Sequence, residues 1–492
     1  MKSAFFNFSQ YLKDCFPLLK IENLLNIFVS CDIIYIILLW RCLVIEYQKL
    51  YDFIDTQQSE MLSSLDRIVS IPSVKGDALE GMPYGENCAE VLNSFLSIAD
   101  SMGFVTHNFE NYVGTIKFNG TKESLGILCH LDVVPVVEKG WKYPPFKATL
   151  DDGKVFGRGT IDDKGPAIAV LYAMKSIKDM GIRLKSNVRF IVGTDEENGS
   201  SDLEYYSKCE SMPLNVFTPD GSYPCINLEK GMIRVSFNCK YQGDFIKELQ
   251  GGTVINGVPA ECYTVVSSEV PQTENIIIEK VSNGYKVKYT GLSAHASTPQ
   301  LGDNAITGLI EYLSKFDSSQ AIQSLYNMFP HGDYNGKSLG IFAEDELSGS
   351  VTSVLSMISM QDGVIHCKQD VRFPICTTKE NIIDTLKMRM EGYGYTCDIL
   401  MAENPHHVNE DSQFIKTLLK IYQEETGNEP YCQAIGGGTY VHNIDGGVAF
   451  GAEFPNEDNG MHGDNESIRL DSLILNCKMF ARAIIDICGV EE

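Results

Sequence analysis

Between Ser59 and Ile71 the apolar positions Met61, Leu62, Leu65, Ile68 and Val69 recur at helical spacing until Pro72 breaks the pattern, which predicts a helix with one buried face. A second helix is predicted from about Glu86 to Met102. A third is predicted from Pro166 to about Met180, with Ile168, Leu171, Tyr172 and Ile177 on its buried side. Short continuous apolar runs lie between them: SLGILC before His130, NVRFIVG before Thr194 and LNVFT before Pro219. Such runs predict strands covered on both faces. Strands alternating with helices make an α/β sheet, and ligands of such sheets gather beyond the carboxyl ends of the strands. Carboxylates and histidines follow each of these runs, so the polar groups stand where a site is expected.

After about Gly231 the pattern changes to alternating strands and hairpins, with turns at Asn283-Gly284 and Asp362-Gly363. Helices are predicted at about Asn304 to Phe316 and Lys379 to Met390, the latter entered through a capping box from Thr377 to Glu380. From about Pro405 a helical run, FIKTLLKIYQEE, leads to the strand GVAFGAEF, to His462 and to a final helix over about Leu470 to Ile487. His462 belongs with the chemistry of the first third of the chain, so the middle domain is expected to be an insertion. The expected organisation is an extension at 1–46, a catalytic domain at 47–230 and 405–492, and an inserted α+β domain at 231–404.

Composition narrows the function. A chain of 492 residues exceeds one core, and 44% hydrophobic with 21% charged residues is a globular balance. A net charge of -25 and the lack of a basic stripe argue against a nucleic-acid partner. The 15 cysteines are scattered without a CxxC pair, which suits free thiols in a reducing compartment. Cys129, next to His130, reads as a small buried residue. The apolar run at 24–45 is interrupted by Asp32 and Arg41 and leaves two readings open. One is a membrane anchor; the other is an extension ahead of a soluble, cytoplasmic enzyme beginning near Tyr47.

His130 and Asp132 stand one residue apart in HLDVVP, so in extended geometry both project to one side and the carboxylate can orient the imidazole. GRGTIDDKGP adds Asp162 and Asp163, and TDEENG adds Glu196 and Glu197. Clustered acids at strand ends require cations or strong hydrogen bonds. Carboxylates mixed with imidazole suit zinc, with manganese or cobalt as alternatives.

Eight ordered motifs, HLDVVP, GWKYPPF, GRGTIDDKGP, GTDEENG, FTPDGSYP, SAHASTPQLGDNA, GGGTY and MHGDNE, make the chain from about Tyr47 onward resemble the M20 metallopeptidases, and most nearly the PepV-like dipeptidases. The resemblance implies a zinc-exopeptidase-like α/β catalytic domain, its mixed sheet flanked by helices and interrupted by an α+β lid. It implies two divalent metal ions, most simply Zn2+, one held by His130, Asp162 and Asp220 and the other by Asp162, Glu197 and His462. Asp162 bridges them, and its peptide bond to Asp163 is expected to be cis. Glu196 is implied as general base, Asp132 as the partner of His130, and His295 of the lid as stabiliser of the oxyanion. Asn256, Arg372 and Gly438 are implied substrate contacts, with Arg372 gripping a free carboxylate.

The chain departs from the family pattern in two places. Val441 and His442 follow GGGTY where relatives commonly carry a small residue and arginine, and Cys129 replaces a glycine. The neighbouring pair His406-His407 is read as surface. The expected reaction is hydrolysis of dipeptides by a monomer whose long lid excludes longer peptides. The alternative within the same chemistry is an N-acyl-amino-acid deacylase or a succinyl-diaminopimelate desuccinylase-type amidohydrolase. A binding protein that has lost turnover would be expected to lack the base, and Glu196 is present.

Overall fold

The computed structural model describes residues 47–491. The chain divides into two compact units, Met1–Gln58 and Ser59–Glu492. Of the first, the described part is helical over residues 47–56. The apolar run at 24–45 lies outside the described residues; among those described, no helix is long and apolar enough to cross a membrane.

The second unit is built on two sheets. The first has nine strands, and eight of them run in the order Val105–Phe109, Val113–Lys117, Asn187–Gly193, Glu123–His130, Val216–Thr218, Gly447–Ala449, Ile226–Glu229 and His406–His407. The ninth, Gln433–Ile435, pairs with Ile226–Glu229. Its centre is parallel and its first three strands are antiparallel, so the sheet is mixed. The three predicted apolar runs are buried strands, because each lies inside the sheet with helices packed on it. Gly447–Ala449 comes from the far end of the chain and is seated between strands of the first part. That pairing makes the intervening segment an insertion.

The second sheet contains eight strands, all antiparallel and all drawn from Gly231 to Glu403. Helices Ala305–Leu313, Gln320–Met328 and Lys379–Gly392 share its apolar core, which includes Ile233, Val235, Phe237, Leu309 and Leu386. A two-stranded ribbon, Gly257–Val258 with Ala294–His295, packs near Val354 in a separate small cluster. The helix after Asn304 is capped as expected for that residue, with its side chain accepting from the amides of Ile306 and Thr307.

Several details differ from expectation, among them the helix expected to reach Phe316, which ends at Leu313. The third helix spans Lys164–Asp179, starting two residues before Pro166; a proline fits anywhere in the first turn, where amides have no intrahelical acceptor. The cap of Lys379–Gly392 is Thr378, not Thr377, its hydroxyl accepting from the Asn381 amide at 3.4 Å. The run GVAFGAEF is a strand only over Gly447–Ala449, ending before Gly451, which takes φ +87°. His406 is no surface residue: it is half-buried, paired in register with Glu229, and its Nε2 meets the Gly447 carbonyl at 2.7 Å.

The strand Asn187–Gly193 ends under a tight lid of side chains. A Cβ built on Gly193 would lie 1.6 Å from the Tyr440 hydroxyl and 2.3 Å from Asp202 Oδ2. Gly193→Ala should therefore destabilise the protein by about 1–3 kcal/mol through overpacking, read as a lowered urea midpoint at unchanged slope.

Candidate metal centre

Two groups of ligating side chains meet beyond the carboxyl end of the first sheet. His130, Glu196 and Asp220 place ligand atoms within 4.8 Å of one another, as do Asp162, Glu197 and His462. Asp162 joins the groups. Its Oδ1 lies 2.8 Å from His130 Nε2 and its Oδ2 lies 2.7 Å from His462 Nε2. Glu197 is 3.3 Å from the same His462 nitrogen, and Asp220 is 3.9 Å from His130 Nε2. The Asp162-Asp163 peptide is cis, as the resemblance implied.

The strand ending at His130 delivers that ring with its tautomer set. Nδ1 faces the Asp132 carbonyl at 3.1 Å and the Asp132 carboxylate at 3.4 Å, so a neutral ring protonated at Nδ1 presents the Nε2 lone pair to the centre. The Asp132 carboxylate has a further role that spacing did not reveal. Its two oxygens accept from the amides of Glu196, at 3.2 Å, and Glu197, at 3.1 Å. One fully buried aspartate thus fixes the short turn from which both glutamates project. Asp202 supports the preceding residues, accepting from the Thr194 amide at 2.7 Å, the Asp195 amide at 3.0 Å and the Tyr440 hydroxyl at 2.5 Å. Asp163 accepts from the His130 amide at 3.1 Å.

Distant segments are tied by Arg158 and Glu466, both buried. Their side chains form an ion pair. Glu466 Oε1 also accepts from the amides of Gly159, Ile161 and Asp162 at 2.9, 3.1 and 3.3 Å. Arg158 Nη2 donates to the carbonyls of His462 and Gly463, both at 3.1 Å. His462 sits at φ +59°, a conformation sparsely occupied by residues with a side chain, and these contacts hold it there. Both residues lie inside recognisable motifs, GRGTIDDKGP and MHGDNE, but nothing in either sequence pairs one with the other.

The donor set carries more negative charge than its protein surroundings neutralise. Burial, then the neighbouring Asp162, pushes the Asp220 carboxyl up to about 7. Burial, followed by Asp220, raises that of Glu196 well above the usual range. His462 is pushed up to about 11 by Asp162 and Glu197. Buried carboxylates that raise one another's proton affinity beside basic imidazoles form a site suited to cations, and the mixed oxygen and nitrogen donors fit divalent ions.

Other residues named from sequence reside on the inserted domain. Asn256 and His295 are exposed and lie at the two-stranded ribbon, where Gly257 pairs with His295. His295 Nδ1 meets Ser297 Oγ at 2.7 Å and accepts from the Ser297 amide at 3.3 Å, which leaves the ring proton on Nε2. Partial shielding of the ring from water, and then Arg372, lower the pKa of His295, favouring the neutral ring near pH 7. Arg372 is buried and already engaged: Nε and Nη2 donate to Asp370 at 2.6 and 3.0 Å, and Nη1 to the Gly436 carbonyl at 3.0 Å. Three of its five donors are used, which leaves two. Gly438 lies two residues along the same loop, beside the buried His442 and Glu229. Cys129 is fully buried with its thiol pushed up by burial and then by Asp163, consistent with a packing role.

The sequence pattern of peptidase family M20/M25/M40 matches residues 126–486. The Beta-Ala-Xaa dipeptidase of Lactobacillus delbrueckii subsp. lactis is 33% identical over 464 residues, covering 89% of this chain and 98% of that protein. Among solved structures, human carnosine dipeptidase 1 superimposes with a TM-score of 0.60 at 16% identity, covering 90% of this chain and 98% of that one. The YxeP protein of Bacillus subtilis, described as a dinuclear metal binding peptidase, gives 0.51 at 12% identity, covering 88% and 99%. At such identities the two structures establish the fold.

Removing the carboxylate of Glu466 leaves the Arg158 guanidinium and three amides buried without their acceptor. Glu466→Ala should cost about 3–5 kcal/mol in chemical denaturation and weaken divalent-metal binding measured by calorimetry. Unchanged stability would show that the pair does not tie the two segments.

Proposed function

We propose that this chain, which belongs to peptidase family M20/M25/M40 and is a hydrolytic peptidase, cleaves dipeptides at a centre of two divalent cations, most simply zinc. The observation that carries the reading is Asp162, whose two oxygens each face a different imidazole, which places it where both groups of candidate ligands meet. His130, Asp162 and Asp220 would hold one ion, and Asp162, Glu197 and His462 the other. Bound there, the cations would supply Lewis-acid charge to the attacking water and to the amide carbonyl.

Glu196 has the position and proton affinity of a general base. Burial and the carboxylates around it raise its proton affinity, so in its ionised form it would take a proton from water and return it to the leaving nitrogen. Its backbone amide is pinned by Asp132, which limits its freedom to miss. His295, neutral and protonated on Nε2, can donate a hydrogen bond to the oxygen that gains charge in the transition state. The two spare donors of Arg372 suit a free carboxylate, while Asn256 and the loop at Gly438 would hold the rest of a short substrate. The relative named as a Beta-Ala-Xaa dipeptidase supports dipeptides as the substrate class.

Glu196→Gln should lower kcat by about 10²–10⁴-fold with metal content unchanged, measured on dipeptides with both termini free. Chelation should abolish turnover, and re-addition of a single divalent metal should restore it. A panel of dipeptides, tripeptides and N-acyl amino acids decides the substrate class. Preferential hydrolysis of the N-acyl compounds would replace the dipeptidase reading with the deacylase one.

A further inference from the structure

The chain passes between the two sheets twice, and one buried side chain holds both crossings. On the way out, Glu229 ends a strand of the first sheet, and Gly231 begins the second. On the return, Glu403 ends the last strand of the second sheet and His406 rejoins the first. Between the crossings lies His442. Its Nδ1 meets Glu229 Oε2 at 2.7 Å and its Nε2 meets the Asn404 carbonyl at 2.9 Å. The other oxygen of Glu229 accepts from the Thr439 hydroxyl at 2.6 Å, and the His442 amide donates to the Thr439 carbonyl at 2.9 Å. The loop so anchored, Gly436 to Thr439, is one place where the inserted domain touches the catalytic side. Gly436 accepts from Arg372, and a Cβ built on it would lie 2.5 Å from Ser297 Cβ.

Both partners of the ring are acceptors when Glu229 is ionised, so both ring nitrogens donate and the ring is an imidazolium. The charged groups that face it are Glu229 and, with Oε2 at 3.9 Å from Nε2, Glu403; the His406 ring lies 6.3 Å away between centroids. Burial disfavours the charge, but the Glu229 and Glu403 carboxylates outweigh it and raise the pKa of His442 above 6.5.

We propose that His442 is a positioning residue for hydrolysis, clamping both interdomain crossings and the glycine loop so that His295 and Arg372 are held towards the carboxylate and histidine centre. This rests on the dipeptidase reading for its effect on turnover, but the clamp can be read without it. A histidine whose pKa rises on folding stabilises fully below its unfolded value and loses that contribution as pH rises through the folded one. The clamp is therefore strongest at mildly acidic pH and weakens towards alkaline pH.

The test uses the full-length metal-loaded protein, with His442→Gln, Glu229→Gln, the double variant and, as a control, His407→Ala at the exposed neighbouring position. Amide hydrogen exchange at residues 229–233 and 403–407 should speed up about tenfold in each single variant, with the strand Glu123–His130 unaffected. The wild type should show the same loosening as pH rises, after correction for intrinsic exchange, and His442→Gln should not. Turnover of a dipeptide should fall about tenfold in kcat with metal content unchanged, and the double variant should be no worse than the worse single one. His407→Ala should match the wild type. Unchanged exchange at the crossings, or exchange raised equally throughout the chain, overturns the clamp; loosened crossings with kcat and KM unchanged overturn the positioning role. If the wild type leaves dipeptides intact while the crossings loosen as expected, the clamp stands and the substrate reading falls.

Discussion

The constraint on which the rest of this structure depends is the gathering of carboxylates at the end of a buried sheet. Asp132, Asp162, Asp163, Glu196, Glu197 and Asp220 converge where water is largely excluded, and their mutual repulsion must be offset. The protein offsets it in two layers. Imidazoles from His130 and His462 take the two oxygens of Asp162, and the centre as a whole suits divalent cations. Around it, backbone amides satisfy the outer acids: Asp132 accepts from the turn of Glu196 and Glu197, Asp163 from His130, and Asp202 from Thr194 and Asp195. Acids that accept from amides also fix the backbone, so the same interactions that make the charges tolerable aim the ligands.

The C-terminal part of the chain contributes to this cluster through His462. Gly447–Ala449 is seated inside the first sheet, and Arg158 with Glu466 holds the segment bearing His462 against the segment bearing Asp162. The insertion leaves between Glu229 and Gly231 and returns between Glu403 and His406, so a whole domain is interposed without breaking the sheet. The inserted domain has a core of its own, and the residues proposed to contact substrate sit on the ribbon and on the strand bearing Arg372. The ribbon carries His295, and the strand Val364–Phe373 carries Arg372.

Much of the architecture was legible in the chain. Continuous apolar runs ending in His130, Gly193 and Thr218 gave buried strands, because a strand covered on both faces has no polar face to alternate with. The hairpin at Asp362-Gly363 formed as turn chemistry predicts, whereas the one expected at Asn283-Gly284 turns one residue earlier, on Ser282 and Asn283, with Gly284 already paired to Val281. Errors fell at ends: a cap displaced by one residue, a helix begun early, a strand cut short at Gly451. Ends are decided by which neighbour supplies the last hydrogen bond, and neighbours are not adjacent in sequence.

The sequence by itself singled out candidate side chains for the chemistry, since acids and histidines at strand ends have few other uses, and it placed the change from one sheet to the other near Gly231. Only the tertiary structure decided how those side chains are held. Ser297 sets the tautomer of His295, Asp370 occupies much of Arg372, Arg158 finds Glu466 some three hundred residues away, and His406 leaves the surface to complete a strand. The physical reason is that a ligand is recognisable by its own chemistry, whereas a supporting contact is a relation between two positions. Hydrogen bonds and ion pairs act over a few ångströms, so that relation exists only after the chain has brought the positions together.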